Sequence, residues 1–508
     1  MTRCGIGDTC FLTSRMVEVG CVAKWMVGVA QGLPAVVMEG WHVVILDTKE
    51  WAKVTFGTCE LGDLRRTSRL VKYAEQVAAR PDGSTPDQTE TWGDCKAAYR
   101  LFNSKDVTFE NIIAPHCQQT RAACQPGDVK LLINDTTEID YGTARSVSGL
   151  GPTGNGFGQG FFLHSAMMVD ADDGRVEGLA GQILFHRRQP TSKKKKKARN
   201  SRRRDPDRES AVWGKLVDQV GAPPAGVKWV HVNDRGADDF EVFCRIRAQG
   251  TSCVIRAARL NRKILAMDGR GLQLKELLKE LPCRERLELK VPATDKVAAR
   301  IAKLELRFSE LAMPIPAVLT PWLKEHRPTE PLRLHVVELL ESDPPPEVEA
   351  LRWVLYTFET VSTFAQAMTV IGWYERRPQI EDYHKAFKTG CRVECRFYHT
   401  SERLERVTGL LSIVAMRLMQ LKTAARETPD RPAVEVAPKQ WVELIQKARN
   451  KPINPSMTIR EFIRAVAGLG GHLGRKSDGE PGWITLWRGF EKLMLIARGA
   501  DAQRKNCG

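Results

Sequence analysis

The chain has 508 residues, 42% of them hydrophobic, and its 77 Lys and Arg against 61 Asp and Glu leave a formal net charge of +16. That length leaves room for about two to four domains, and so large a positive excess points to a polyanionic partner, most often nucleic acid. No uninterrupted run of roughly 18 apolar residues is present; the nearest stretch, Met16 to Val37, is broken by Glu18, Lys24, Gln31 and Pro34, so no membrane span is expected. The start lacks a basic segment followed by a clean apolar core, and no secretory signal is expected either. The 13 cysteines show no paired C-x-x-C spacing, and Cys391 and Cys395, the closest pair, have no histidines at zinc spacing. They read as reduced, mostly buried thiols of a cytoplasmic protein.

Residues 1–48 are Gly/Val/Met-rich and weakly patterned, a leader of unknown role. From Trp51, apolar residues recur at helical spacing (Leu61, Leu64, Leu70, Val71, Ala74, Val77), with Arg65, Arg66, Arg69 and Lys72 on the other faces. Thr91 to Asn103, carrying Lys96 and Arg100, and Phe109 to Ala123 read as further helices. Residues 49–126 are therefore expected to form a compact helical domain whose basic faces suit DNA phosphates, with Arg65 and Arg66 as candidate contacts. A merely solvated basic surface is the alternative.

Beyond Asp128 the period changes. KLLINDTTEIDY, GFFLHSAMMVDADDG and VEGLAGQILFHR are apolar and β-branched runs separated by Gly/Asp turns, the pattern of a strand meander. The first strand is expected to end at Asp135, ahead of Thr136 and Thr137. Residues 192–208, SKKKKKARNSRRRDPDR, form a block of like charge that cannot pack and is expected to grip DNA backbone. Ser210 to Val220 reads as a helix. KWVHVNDRGAD reads as a strand with Asp234 at its C-terminal end, where loops free side chains for chemistry, and Glu241 to Ala248 as a helix. Residues 252–360 hold five strand-like runs, from SCVIRAARL to LRWVLYTFE, and read as a β-rich insertion. Helices resume from Thr363 to Ala425. A Pro-containing linker follows, and then a helical C-terminal domain over 439–508, with a tight turn at Gly468 to Gly471.

The most informative stretch is Tyr374 to Gly390, YERRPQIEDYHKAFKTG. Helical spacing from Glu381 collects His384, Lys385 and Lys388 forwards and Arg377 and Tyr374 backwards, so one carboxylate stands in a cationic stripe. A carboxylate holding a divalent cation, with the cations holding phosphates, explains that arrangement; a solvated face of ion pairs is the alternative. Pro378 predicts a new helix starting near it, with Tyr374 and Arg377 at the end of the preceding helix or at a kink.

Two acids at strand ends, Asp135 and Asp234, and one on a helix, Glu381, follow the order of a ribonuclease-H-like α/β core over 127–426 with a β insertion before its last acidic helix. Three carboxylates suit two Mg²⁺ ions, or Mn²⁺, because hard oxygen donors without Cys or His disfavour Zn²⁺.

On LGDLRRTSRLV, AAYRLFN, LLINDTTEIDY, VNDRGAD and Y-x2-R-x3-E-x6-K (Tyr374, Arg377, Glu381, Lys388), the chain resembles the DDE cut-and-paste transposases of insertion-sequence family four, in the branch of the transposon-five transposase. The resemblance runs from about Trp51 to Arg498. It implies that Asp135, Asp234 and Glu381 form the metal-binding catalytic triad and that Tyr374, Arg377 and Lys388 contact phosphates at the cleavage site. It also implies that Trp353 stabilises a flipped base and that Arg100 and Arg256 touch end DNA. The expected partners are the double-stranded DNA of transposon ends and target, and a second copy of the chain on that DNA, joined through the C-terminal helices near Trp483 and Trp487. Pro378 and the lysine run Lys193 to Lys197 depart from the family pattern. A catalytically silent DNA-binding regulator, or another nuclease of the ribonuclease-H class, is the alternative reading.

Overall fold

The structure, a computed structural model, describes residues 48–143, 147–187, 203–291, 298–427, 429–435, 437, 439–475 and 478–506. The leader up to residue 47 and the lysine run of the basic loop lie outside these residues.

Five helices open the described chain: α1 (Thr48–Phe56), α2 (Leu64–Ala79), α3 (Thr85–Gln88), α4 (Trp92–Asn103) and α5 (Phe109–Ala122). Their starts follow from capping chemistry. Asp63, Ser84, Thr91 and Thr108 each accept a backbone N–H of the first turn, and such caps satisfy donors that a helix start leaves unpaired. The stretch from Trp51 to Arg80 holds two helices rather than one. It breaks at Gly57 to Asp63, where Gly62 takes a left-handed φ of 74°.

The meander follows as β1 (Val129–Asp140), β2 (Gly151–Thr153), β3 (Gly158–Asp170) and β4 (Val176–Phe185). After α6 (Val212–Val220) come β5 (Lys228–Asn233), α7 (Phe240–Ala248), β6 (Ser252–Arg256), β7 (Lys263–Ala266), β8 (Gly271–Gln273), α8 (Leu274–Glu280), β9 (Glu285–Val291), β10 (Arg300–Met313), α9 (Pro321–His326), β11 (Leu332–Glu341) and β12 (Arg352–Thr357). The chain ends in helices α10 (Phe364–Glu375), α11 (Gln379–Lys385), α12 (Ser401–Glu427), α13 (Lys439–Ala448), α14 (Ile459–Leu469) and α15 (Trp483–Asn506). No helix among the described residues is long and apolar enough to cross a membrane. The described cysteines are free thiols, most of them buried.

The chain divides into two compact units. One holds the described residues from 203 to Val217, together with Val230–Pro378. Its strands run in the order β6-β12-β11-β10-β7-β8, with β9 also paired to β10, and the last four residues of β5 pair parallel with β6. All its other pairings are antiparallel. The five strand-like runs of 252–360 appear as β6, β9, β10, β11 and β12. The β7–β8 hairpin and helices α8 and α9 were not expected; their segments are too short for periodicity to speak.

The other unit holds residues 48–187, Asp218–Trp229 and Gln379 onwards. Its sheet is antiparallel, β2-β3-β1 with β4 on the far edge of β3. Strand β3 is buried on both faces from Gly160 to Val169, which explains its near-continuous apolar run. The long helix α12 packs against α5, β4 and the C-terminal helices. Helices α14 and α15 meet backbone to backbone: a Cβ on Gly470 would lie 1.8 Å from the Thr485 carbonyl oxygen, and one on Gly489 would lie 1.9 Å from that of Val466. The expected turn at Gly468 to Gly471 is thus also a close approach that only glycine allows.

Candidate active site

Asp234 follows the last residue of β5, as expected from the sequence. It caps a short turn, accepting the Gly236 N–H at 2.7 Å. Glycine at 236 is required because a Cβ there would meet the Trp213 ring at 2.7 Å. In the same unit, a guanidinium nitrogen of Arg377 lies 3.8 Å from the Asp234 carboxylate, with Arg377 buried and Asp234 37% exposed. The Arg256 guanidinium lies near enough to the Tyr374 hydroxyl for each to shift the other's proton affinity, and it donates to the Arg352 carbonyl at 3.1 Å. Burial pushes the Tyr374 hydroxyl above the usual phenol range, while the Arg256 and Arg377 guanidiniums pull it back. Trp353 packs edge-on against Tyr374, their ring centroids 5.0 Å apart. Asp234, Arg256, Trp353, Tyr374 and Arg377 therefore form one connected cluster, drawn from four separate segments of the sequence.

The break at Pro378 is present. Thr363 caps α10, which ends at Glu375; Arg377 lies in the turn, and α11 begins at Gln379. Tyr374 and Arg377 consequently do not share a helix with Glu381: Tyr374 stands in the last turn of α10, Arg377 lies in the turn that follows, and Glu381 belongs to α11. Past Lys385 the helix widens into a π-turn, Ala386–Gly390, carrying Lys388. One extra residue per turn shifts the register, and such bulges concentrate at functional sites. Lys388 pairs with Glu394 at 3.1 Å, and Lys385 lies exposed beside Asp382 at 3.6 Å.

Asp135 does not end its strand. Strand β1 continues through it to Asp140, placing Asp135 opposite Ser165 of β3. Asn-Asp-Thr-Thr has turn-like chemistry, yet the burial of Thr137 and Ile139 keeps the chain extended. Thr136 is hydrogen-bonded to His164 Nδ1 at 2.8 Å, and burial holds the His164 pKa down at about 3, partly offset by the Asp135 backbone. Helix α11, bearing Glu381, packs on β1; both acids are half-buried. Sequence reasoning passed over a set of buried polar groups in the same unit. Ser165, Gln182, Tyr383 and Ser412 are fully buried and hydrogen-bonded to one another. The signal was a polar residue inside an apolar strand run, as in GFFLHSAMMV and GLAGQILF.

The remaining basic candidates lie in the N-terminal helices. Arg65 is exposed and paired with Asp63, Arg66 bridges Asp106 and the Leu61 carbonyl, and Arg100 lies exposed in the last turn of α4. Among the described residues, no three His, Cys, Asp or Glu side chains lie together as a group that could hold a metal ion. Within its own unit each candidate acid nevertheless offers a half-buried carboxylate of the hard-oxygen kind that Mg²⁺ or Mn²⁺ takes.

Two family models match the chain. One, described as transposase DNA-binding, spans residues 48–107, the segment of α1 to α4. The other, described as the transposase Tn5 dimerisation domain, spans residues 413–507, from within α12 to the end of α15. A DNA-binding module at one end and a dimerisation module at the other indicate a DNA transposase, a DNA-processing enzyme that binds DNA and forms homodimers. More narrowly, the two matches support a Tn5-like transposase, in line with the resemblance carried by the sequence motifs.

Proposed function

We propose that this protein is a cut-and-paste transposase in which Asp135, Asp234 and Glu381 hold two Mg²⁺ ions, with Mn²⁺ able to substitute. It would free the ends of its element through a hairpin intermediate and join them to target DNA. The observation that carries the reading is the placement of Glu381 on a helix packed against the strand of Asp135. The cluster of Asp234 with Arg377, Tyr374, Arg256 and Trp353 supports it from the other unit. When bound, the ions polarise the scissile phosphodiester and the attacking oxygen.

The chain's own residues orient the DNA. Arg377, Tyr374 and Lys388 hold phosphates around the cut, and Arg256 and Lys385 are further DNA contacts. Guanidinium and ammonium donors suit phosphate oxygens, and the planar guanidinium can bind two at once. Lys388 exchanges Glu394 for phosphate on binding. The Trp353 indole receives the base displaced next to the break, a stack worth about 1–3 kcal/mol. Water attacks first and frees a 3′-OH; that 3′-OH attacks the opposite strand to make the hairpin; water reopens it; and the 3′-OH then joins target DNA. All four steps are in-line displacements at a phosphodiester, so one site serves them in turn. Two ends need two copies of the chain, joined through the C-terminal helices. Arg65, Arg66 and Arg100 grip the end DNA.

The test is incubation with the element's own flanking ends and Mg²⁺. Hairpin-ended products are expected from the native protein, and bound but uncut ends from Asp135→Ala, Asp234→Ala and Glu381→Ala. Normal cutting by any one of these variants removes that residue from the site.

A further inference from the structure

The buried polar side chains beneath the Asp135 strand form a closed circuit. Gln182 Nε2 donates to Ser165 Oγ at 2.8 Å and to the Tyr383 hydroxyl at 3.1 Å. The Tyr383 hydroxyl donates to the Ser412 carbonyl at 3.3 Å, and Ser412 Oγ donates back to Gln182 Oε1 at 2.8 Å. All four residues are 2% exposed or less, and all lie in one unit. They come from four elements: Ser165 from β3, Gln182 from β4, Tyr383 from α11 and Ser412 from α12.

Their register makes the circuit more than core filling. Ser165 is the direct cross-strand partner of Asp135, and residues directly opposite in an antiparallel pair project from the same face. Gln182 is in turn the partner of Ser165. Tyr383 is two residues past Glu381 on a seven-residue helix, and its ring also stacks on Phe387 of the π-turn at 6.3 Å. A core that needed only volume would be apolar here, because buried polar groups are costly unless all of them are satisfied. Each bond has a directional optimum that a slipped helix would lose.

We propose that Tyr383 and Gln182 are positioning residues, which set the distance between Asp135 and Glu381 by locking the acidic helix onto the sheet through Ser165 and Ser412. The inference rests on the reading of these two acids as metal ligands. Carboxylates held slightly too far apart bind an octahedral ion such as Mg²⁺ poorly, whereas Mn²⁺ tolerates the misfit better; supporting groups around metal ligands commonly tune affinity about 10- to 100-fold.

The experiment uses Tyr383→Phe, which removes one oxygen and keeps the ring, and Ser412→Ala, which acts on the same circuit from the far side. Thermal unfolding at the assay temperature establishes that each variant is folded. Mn²⁺ binding to the full-length protein on uncleavable end DNA is followed by electron paramagnetic resonance, and cleavage is followed as a function of Mg²⁺ concentration. Tyr383→Phe is expected to weaken Mn²⁺ binding about tenfold and to raise the Mg²⁺ needed for half-maximal cutting by a similar factor. Excess Mn²⁺ should restore cutting, and Ser412→Ala should give the same signature at lower amplitude. Folded variants with native Mn²⁺ binding and native Mg²⁺ dependence overturn the proposal. Glu381→Gln separates this from failure of the underlying reading: if it too binds Mn²⁺ and cuts like the native protein, the metal-site assignment falls, whatever Tyr383 does.

Discussion

The two units each contain a sheet studded with polar side chains, and the two sheets use them differently. In β9 to β12 of the insertion the charges form a ladder along one face. Arg286 faces Glu305, Glu305 neighbours Arg307, Arg307 stands opposite Glu338, and Glu338 also holds Arg352 at 2.6 Å. Every rung is a pair of opposite charges on neighbouring positions, the arrangement that stabilises strand pairing. In β1, β3 and β4 the buried Lys130 is held in the same way by Asp170 and Glu177, but the residues paired across the sheet from Asp135, Ser165 and then Gln182, are neutral side chains joined in a circuit, and Asp135 itself is left half-buried. The contrast separates polar groups that hold a sheet together from polar groups that hold a reactive carboxylate in place.

The sharpest way to break this contrast is to remove one group of each kind. Asp135→Ala should reduce end cleavage about a thousandfold or more, since the group acts on transition-state charge, while leaving thermal stability near that of the native protein. A large loss of stability in this variant would show that Asp135 belongs with the structural charges. Glu338 is 1% exposed between Arg307 and Arg352. Replacing it with Leu leaves Arg352 without its counter-charge and Arg307 with Glu305 alone, and should destabilise the insertion by about 2–4 kcal/mol, at the lower end because Arg307 keeps that partner and both arginines retain some solvent. Denaturant unfolding measures that loss, and the folded fraction should still cut DNA at the native rate.

Trp353 sharpens the comparison because it stands in the insertion sheet but is assigned a role on DNA. It is 9% exposed and packed on Tyr374, so receiving a base requires it to exchange one aromatic neighbour for another. Trp353→Ala should slow hairpin formation about tenfold while slowing first-strand nicking less, as expected for loss of one base stack. Equal slowing of both steps would return Trp353 to the structural side.

How much of this was legible in the sequence depends on the kind of signal. Pro378 removes a donor and biases its predecessor away from helix, so the break between α10 and α11 could be read directly. Asp234 at a strand end was equally plain, because NDRG carries turn chemistry straight after an apolar run. Asp135 was misplaced at a strand end because Asp-Thr-Thr looks similar; only burial of Thr137 and Ile139 on the inner face shows that the strand runs on. The single stripe from Tyr374 to Lys388 could not be judged from spacing, since the chain passes from one unit to the other at Pro378 and the π-turn then shifts the register. The circuit of Ser165, Gln182, Tyr383 and Ser412 joins positions far apart in the chain, and no local pattern connects them.

The last expected effect concerns acid, and it falls on the sheet of β1 to β4. Strand β4 slips register against β3 between Ala166 and Met167, which takes backbone groups out of the ladder at Leu179 and Ala180. Helix α5 supplies the missing partners: His116 Nε2 accepts the Leu179 N–H at 3.1 Å, and Arg121 donates to the Ala180 carbonyl. The imidazole can accept that bond only while Nε2 is unprotonated, and burial lowers the His116 pKa from 6.5 to about 4. An unfolded chain therefore takes up this proton near pH 6.5 while the folded one resists it until about pH 4. Stability should drop through that window by up to about 1.4 kcal/mol per pH unit from this residue alone. On the insertion sheet His335 is only half-buried and Glu310 opposes the shift, so the same acid should cost less there. Thermal unfolding from pH 7 down to pH 4.5 measures the slope, and His116→Gln, whose amide oxygen can accept the Leu179 N–H without titrating, should flatten it. An unchanged slope in that variant would place the acid sensitivity elsewhere, first in the other buried histidine outside the proposed site, His231, whose pKa burial lowers to about 3.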